Sequence, residues 1–332
     1  MPANLTPQYH RAEAAYRQAT TPQEELDCLQ VMLRELPKHK GTDKLQADLK
    51  AKIAKVKVDA AKPAPKTGVK SAAKIPSQGA GRILLIGAPN SGKSQLLQKL
   101  TRAQPEVAEY PFTTQSPLPG MMLFEDCPFQ LIDMPPVTAD FMDPSTISLV
   151  RGADMVFLIV DLGSDNLIED TQAVLDRFQG TKTRLGRETA LDPEDIGVSY
   201  TRTLMLLNKC DAPDASDRAQ LLDEFLELPF ERKYVSAESD HGLDDVKQAV
   251  FEALEIVRVY TKHPKEKEPD RTKPFAVRRG DTLVEVAQHV HKEMAEQLRG
   301  ARVWGPKVHD GTVVKPDYEP VDGDVVELHA GG

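Results

Sequence analysis

The run Gly87-Ala88-Pro89-Asn90-Ser91-Gly92-Lys93-Ser94 constrains this chain more than any other. It fits the pattern GxxxxGK[ST], follows an apolar run at 83–86 and precedes helical spacing over 93–102. A strand, a glycine-bearing loop and a helix start, in that order, make a cradle for phosphate. Loop amides and the helix N-terminus face one point and attract phosphate oxygens. Lys93 is expected to reach the β- and γ-phosphates as a point charge, and Ser94 to offer its hydroxyl to Mg²⁺. With Gln95, the next residue on the helix, these eight positions form the expected phosphate-side set.

The rest of the central chain agrees with a sheet of the kind this loop requires. Apolar or mostly apolar runs occur at 82–86, 129–132, 155–160, 203–207 and 233–235. Helical spacing occurs at 93–102, 169–178, 219–226 and 243–257. Alternating βα units predict an α/β fold, a mostly parallel sheet with helices on both faces. Ligands of such sheets bind at the C-terminal ends of the strands. Three further groups are expected there. Asp133 closes the run at 129–132 and suits a carboxylate that helps hold Mg²⁺, often through water. Asn208-Lys209-Cys210-Asp211 follows the run at 203–207 and fits NKxD. The Asp211 carboxylate can accept two hydrogen bonds from guanine, at N1–H and the exocyclic amine, and adenine lacks that donor pair. Ser236-Ala237 follows the run at 233–235 and suits a backbone contact to the guanine carbonyl. In Tyr110-Pro111-Phe112-Thr113-Thr114, a threonine hydroxyl could complete the Mg²⁺ shell, with Thr114 favoured over Thr113.

Both ends of the chain carry less chemistry. Residues 1–60 predict a helical hairpin. Thr21-Pro22-Gln23-Glu24 combines an N-cap, a first-turn proline and a capping-box glutamate. Leu26, Leu29, Leu33 and Leu36 then share one helical face, and Leu45, Leu49, Ile53 and Val56 share another after a turn at Lys40-Gly41. Between Ala51 and Arg82, seven lysines and one arginine face the single acid Asp59, and 61–81 reads as a flexible basic linker. The central domain is placed at 82–260 and a second charged linker at 261–272. A small α+β domain follows at 273–332, with a helix over 283–298. The acid-rich stretch from Asp161 to Thr203 is assigned no role. His289 and His291, two apart on that helix, point to different faces. A net charge of −9 argues against a protein that coats nucleic acid on all sides. Three widely spaced cysteines form neither a metal pattern nor a disulfide framework and suggest a reducing, cytoplasmic compartment. No apolar run is long enough to cross a bilayer.

Taken together, these residues resemble the Obg family of GTPases, which carries a GxPNxGKS loop and a YPFTT switch. The branch that looks nearest is the developmentally regulated GTP-binding proteins, with a helical N-terminal hairpin, a G domain and a C-terminal TGS domain of β-grasp fold. The segment 44–57 is similar to that branch's second helix, and Val150-Arg151-Gly152-Ala153-Asp154 to its RTAD segment. Gly280-Asp281-Thr282 and Val321-Asp322-Gly323-Asp324-Val325-Val326 carry the TGS likeness.

The resemblance implies slow, Mg²⁺-dependent GTP hydrolysis in which Lys93, Thr114 and Asp133 do the catalytic work. The partners implied are GTP and GDP, the ribosome or a structured RNA, and an accessory protein at the N-terminal hairpin, with no membrane contact. The hairpin could instead fold back on the G domain. Asn90 matches an asparagine that some relatives use to bind K⁺ near the phosphates; the alternative is that it only braces the loop. Val137 occupies the place where other GTPases carry a water-orienting glutamine. One departure stands out. The family reads DxPG where this chain reads Asp133-Met134-Pro135-Pro136, and Pro136 has no N–H to give the γ-phosphate. That motivates one alternative, a nucleotide-binding adaptor with little turnover; the TGS domain and the basic linker motivate another, an RNA-docking module independent of nucleotide. Other TGS-bearing enzymes need catalytic domains for which this chain has no room.

Overall fold

The structure is a computed structural model that describes residues 5–19, 22–37, 42–60, 75–101, 117–192, 195, 197–263 and 268–331. The switch segment Tyr110–Thr114, most of the basic linker, Thr21 and the Lys40-Gly41 turn lie outside the described residues. Along the chain run α1 (Pro7–Gln18), α2 (Pro22–Glu35), α3 (Asp43–Ala60), β1 (Arg82–Gly87), α4 (Lys93–Thr101), β2 (Leu118–Phe124) and β3 (Cys127–Asp133). Next come α5 (Pro144–Arg151), β4 (Met155–Asp161), α6 (Leu167–Gln179), β5 (Thr183–Gly186), β6 (Ala190–Leu191), β7 (Ser199–Asn208), α7 (Ala215–Phe225), β8 (Glu231–Tyr234) and α8 (Leu243–Ala253). The C-terminal elements are β9 (Ile256–Thr261), β10 (Asp270–Arg278), α9 (Leu283–Val290), α10 (Lys292–Glu296), β11 (Leu298–Gly305), β12 (Val308–Val314) and β13 (Asp324–Ala330).

The first sheet has the strand order β2-β3-β1-β4-β7-β5, with β6 and β8 also paired to β7. β4 and β7 run parallel from Val156 opposite Thr203 to Asp161 opposite Asn208. Ile83, Leu84, Leu85 and Ile86 are fully buried, and 155–160 are nearly so. Continuous apolar runs of this kind belong to parallel strands covered on both faces. The second sheet, β10-β9-β13-β11-β12, is mostly antiparallel. It packs Val257, Val259, Val277, Ala301, Val303 and Val326 against Leu283 and Val286 of α9. Thr282 starts α9 with a capping box to Glu285.

By compactness the chain divides into two units, one of residues 1–76, 84–93 and 134–232, the other of 77–83, 94–133 and 233–332. The first unit contains the N-terminal helices, and here the structure adds to the expected hairpin. Among the described residues there are three helices, because Tyr9, Ala12 and Tyr16 of α1 join the core formed by Leu26, Leu29, Met32 and Leu36 of α2 and Leu49, Ile53 and Val56 of α3. Met32 fills the interior and Leu33 is only partly buried. The helices also fold back onto β6 and β7. Glu13 Oε1 accepts from the backbone N–H of Leu191 at 3.0 Å, and Arg17 Nη2 donates to Thr201 Oγ1 at 3.1 Å. The Arg151 guanidinium lies 5.2 Å from the Tyr16 ring centroid.

Two expected helices are shorter than their spacing suggests. The stretch at 243–257 is helical only to Ala253. Glu255 takes a left-handed φ of 49°, and Ile256, Val257 and Val259 then enter β9. Residues 256–260, placed with the central domain by sequence, therefore form a strand of the second sheet. The helix expected at 283–298 breaks at His291, whose backbone is extended (φ −166°, ψ 135°).

Candidate functional site

Backbone geometry builds the phosphate loop between β1 and α4. Asn90 has φ 61° and Gly92 φ 91°. A left-handed residue among right-handed ones is how a backbone forms an anion-binding nest. Both loop glycines are required. A Cβ on Gly87 would sit 2.5 Å from Ile159 O, and one on Gly92 would sit 2.2 Å from Asn208 Nδ2. The Ser91 hydroxyl donates to Ala88 O at 2.9 Å and closes the turn. The Lys93 ammonium is buried and donates to Ala88 O at 2.7 Å and Gly87 O at 3.2 Å. It is thus held over the loop, where phosphate oxygens would replace the carbonyls as its partners. Pro89 and Asn90 are exposed.

The Asn208-Lys209-Cys210-Asp211 motif is attached directly to this loop. Asn208 is fully buried at the end of β7, and its Nδ2 donates to Ser91 O at 2.9 Å. Lys209, at φ 59°, donates from Nζ to Asn90 O at 3.3 Å and to Asp161 Oδ2 at 2.6 Å. A turn closed by Ala212 N–H on Lys209 O at 2.9 Å carries Cys210 and the exposed Asp211. The phosphate loop and the NKxD motif, 117 positions apart from Ser91 to Asn208, therefore share one edge of the first unit.

The second unit holds the other expected groups. Ser94 and Gln95, exposed at the start of α4, follow Lys93 directly. The Ser94 hydroxyl donates to Asp133 Oδ2, so the hydroxyl and carboxylate expected around Mg²⁺ are adjacent. Two hard oxygen donors side by side fit Mg²⁺ and would not select a soft metal. Ser236 and Ala237 are buried in a tight loop after β8. There the Ser236 hydroxyl accepts from Glu238 N–H at 3.2 Å and Ser239 N–H at 3.1 Å, and Ser236 N–H donates to His241 O at 3.1 Å. Thr114 lies outside the described residues. After Asp133 the chain stays close to the phosphate loop, with Met134 N–H on Leu85 O at 3.2 Å and Val137 N–H on Gly87 O at 3.1 Å. Pro136, between them, is exposed.

Sequence reasoning passed over Asp161. It closes β4 as Asp133 closes β3, and its carboxylate holds Lys209. An acid directly after an apolar strand was the available signal, and the acid-rich segment behind it hid that signal. Nearby, the Asp170 carboxyl is raised above the usual range by burial, then by the charges of Glu169 and Asp161.

A family described as a 50S ribosome-binding GTPase matches residues 82–187, and the TGS domain family matches residues 257–330. An uncharacterised GTP-binding protein of Methanocaldococcus jannaschii is 27% identical, with 92% of each chain covered. The ribosome-interacting GTPase 1 of Saccharomyces cerevisiae is 26% identical over 93% of this chain and 99% of its own. A developmentally regulated G-protein of Arabidopsis thaliana is 27% identical over 88% of this chain and 94% of its own. The solved structure of the YchF GTPase of Schizosaccharomyces pombe has a TM-score of 0.51 at 12% identity, covering 76% of this chain and 99% of that one, and shares the fold. Among the described residues, no helix is long and apolar enough to cross a membrane.

Proposed function

We propose that this chain, a member of the Obg-type GTPases in their developmentally regulated, TGS-bearing branch, hydrolyses GTP slowly in the cytoplasm and is accelerated by a ribosome or structured RNA. The observation that carries the reading is the pair of bonds from Asn208 and Lys209 to the phosphate-loop carbonyls of Ser91 and Asn90. They support a reading in which the two loops contact one nucleotide.

In this reading the amides of Gly87 to Ser94 hold the diphosphate, and Lys93 balances charge that moves onto the leaving oxygen. Ser94 and Thr114 would hold Mg²⁺, with Asp133 supporting it. Bound there, Mg²⁺ would supply positive charge to the phosphate oxygens. Asp211 accepts from guanine, and Ser236-Ala237 would meet the guanine carbonyl. Asn90 would take K⁺, adding charge beside the phosphates. No described side chain is needed as a general base, because phosphoryl transfer depends chiefly on positioning and electrostatics. In the TGS domain, Lys262 Nζ stands 4.5 Å from the Trp304 ring centroid. A cation beside an aromatic face supports contact with unpaired RNA bases. An accessory protein would meet the N-terminal helices on the face bearing Arg11, Ala15, Val31 and Arg34, which line a groove there.

Calorimetric titration with GDP, a non-hydrolysable GTP analogue and ATP tests the binding. Both guanine nucleotides should bind in the micromolar range, on the order of −8 kcal/mol, and ATP should give no heat. Single-turnover assays with GTP, Mg²⁺ and K⁺, with and without ribosomes, test the chemistry. A rate no greater than background under every condition would remove the enzyme from the proposal and leave only a nucleotide-binding protein.

A further inference from the structure

We infer that Asp161 is a positioning residue for guanine recognition, and that the loop 161–166 braces the base-reading loop 208–214 on both sides of Asp211. The inference rests on the guanine-binding reading above and extends it to residues that make no expected contact with the nucleotide.

Asp161 is the last residue of β4 and lies opposite Asn208 in the parallel register. Both of its oxygens are engaged. Oδ2 accepts from Lys209 Nζ at 2.6 Å, and Oδ1 accepts from Gly163 N–H at 2.8 Å. Its side chain is 15% exposed, so water screens the pair less than it would at an open surface. Lys209 needs such a partner. Its backbone is left-handed, a conformation costly for a residue with a Cβ, and its ammonium also reaches Asn90 O. Leu162 N–H adds a backbone bond to Asn208 O at 2.9 Å.

On the far side of Asp211 the brace is Arg218 of α7. Its Nη1 donates to Leu162 O at 3.2 Å and to Pro213 O at 2.7 Å, and its Nη2 donates to Asp165 Oδ1 at 2.6 Å. The short turn bearing Asp211 thus lies between two cations, Lys209 and Arg218, both anchored on one neighbouring loop. Asp211 is itself exposed, so its aim depends on how firmly that turn is held. Gly163 belongs to the same device. A Cβ there would stand 3.1 Å from Asp161 Oδ1 and 3.2 Å from Lys209 Cδ, inside the ion pair.

The test compares GDP with inosine diphosphate, whose base keeps N1–H but lacks the exocyclic amine. Both are titrated into the full chain and into Asp161→Asn and Asp165→Asn variants. A well-aimed Asp211 gains two bonds from guanine and one from hypoxanthine, so mispositioning costs GDP more. Asp161→Asn should weaken GDP about tenfold, as expected for loss of one charged hydrogen bond, and should lower the GDP-to-inosine-diphosphate preference. Asp165→Asn should weaken GDP less than Asp161→Asn does, because that carboxylate is 90% exposed and Arg218 keeps its bonds to Leu162 O and Pro213 O. Two results overturn the inference: wild-type affinity in Asp161→Asn, or an equal loss for both nucleotides, which marks general loosening. Failure of the wild-type chain to prefer GDP over ATP would instead sink the guanine reading on which this rests.

Discussion

Lys93 and Pro136 show how much a single residue can decide here. The Lys93 ammonium rests on the carbonyls of Gly87 and Ala88, so a phosphate in the proposed site would meet a cation held in place. Lys93→Ala should weaken GDP by about 10- to 100-fold, the value of a charged hydrogen bond, while leaving the fold intact by circular dichroism. Pro136 acts through what it lacks. Val137 N–H, one residue on, is committed to Gly87 O, and Pro136 has no N–H to offer a γ-phosphate. Pro136→Gly should raise the preference for a GTP analogue over GDP by about fivefold, the value of one hydrogen bond, measured by competition binding. An unchanged ratio would mean that γ-phosphate is not sensed at this position.

Short connections matter more than the helices and strands they join. Gly242 caps α8 at φ 70°, and a Cβ there would lie 2.2 Å from Tyr234 O. Gly242→Ala should cost about 2 kcal/mol from strain and clash and loosen the Ser236-Ala237 loop, seen as faster amide exchange at 236–241. In the N-terminal helices, Tyr16 is 1% exposed and packs under Arg151. Tyr16→Ala should cost about 3 kcal/mol in urea unfolding, as for other large buried rings. Burial pushes the Tyr16 hydroxyl pKa above its ordinary value, against the opposing charge and hydrogen bond of Arg151. Helix spacing found α2 and α3, and α1 was missed because its buried residues are Tyr9, Ala12 and Tyr16 rather than a leucine stripe.

For the molecule as a whole, acid stability follows from how a few carboxylates are held. Burial pushes the Asp322 carboxyl up, but hydrogen bonds and charge from Arg258 outweigh it and hold the group below the ordinary aspartate range. Its contribution is present above the unfolded value and is lost as pH falls through the lower, folded one. Asp324 has the opposite sign, because burial raises it and protonation relieves a cost. Asp322→Asn leaves Asp324 in place, so the difference between the two proteins isolates Asp322. Between pH 5 and pH 3 the wild type should lose more stability than Asp322→Asn, by about 1 kcal/mol or less, because the Asp322 side chain is 39% exposed and screened. Chemical denaturation at each pH reads the difference.

The sequence by itself determined the α/β class and put the glycine-bearing loop, the NKxD motif and Asp133 each next to a strand end. Each is a local pattern of residues next to a strand end, and local chemistry suffices to read it. Only the tertiary structure decided which loops brace one another. The pairing of Asp161 with Lys209, the return of the N-terminal helices to β6 and β7, and the passage of residues 256–261 into the second sheet depend on strand register and burial. Register and burial are properties of the folded chain, since they arise between segments that no window along the sequence contains together.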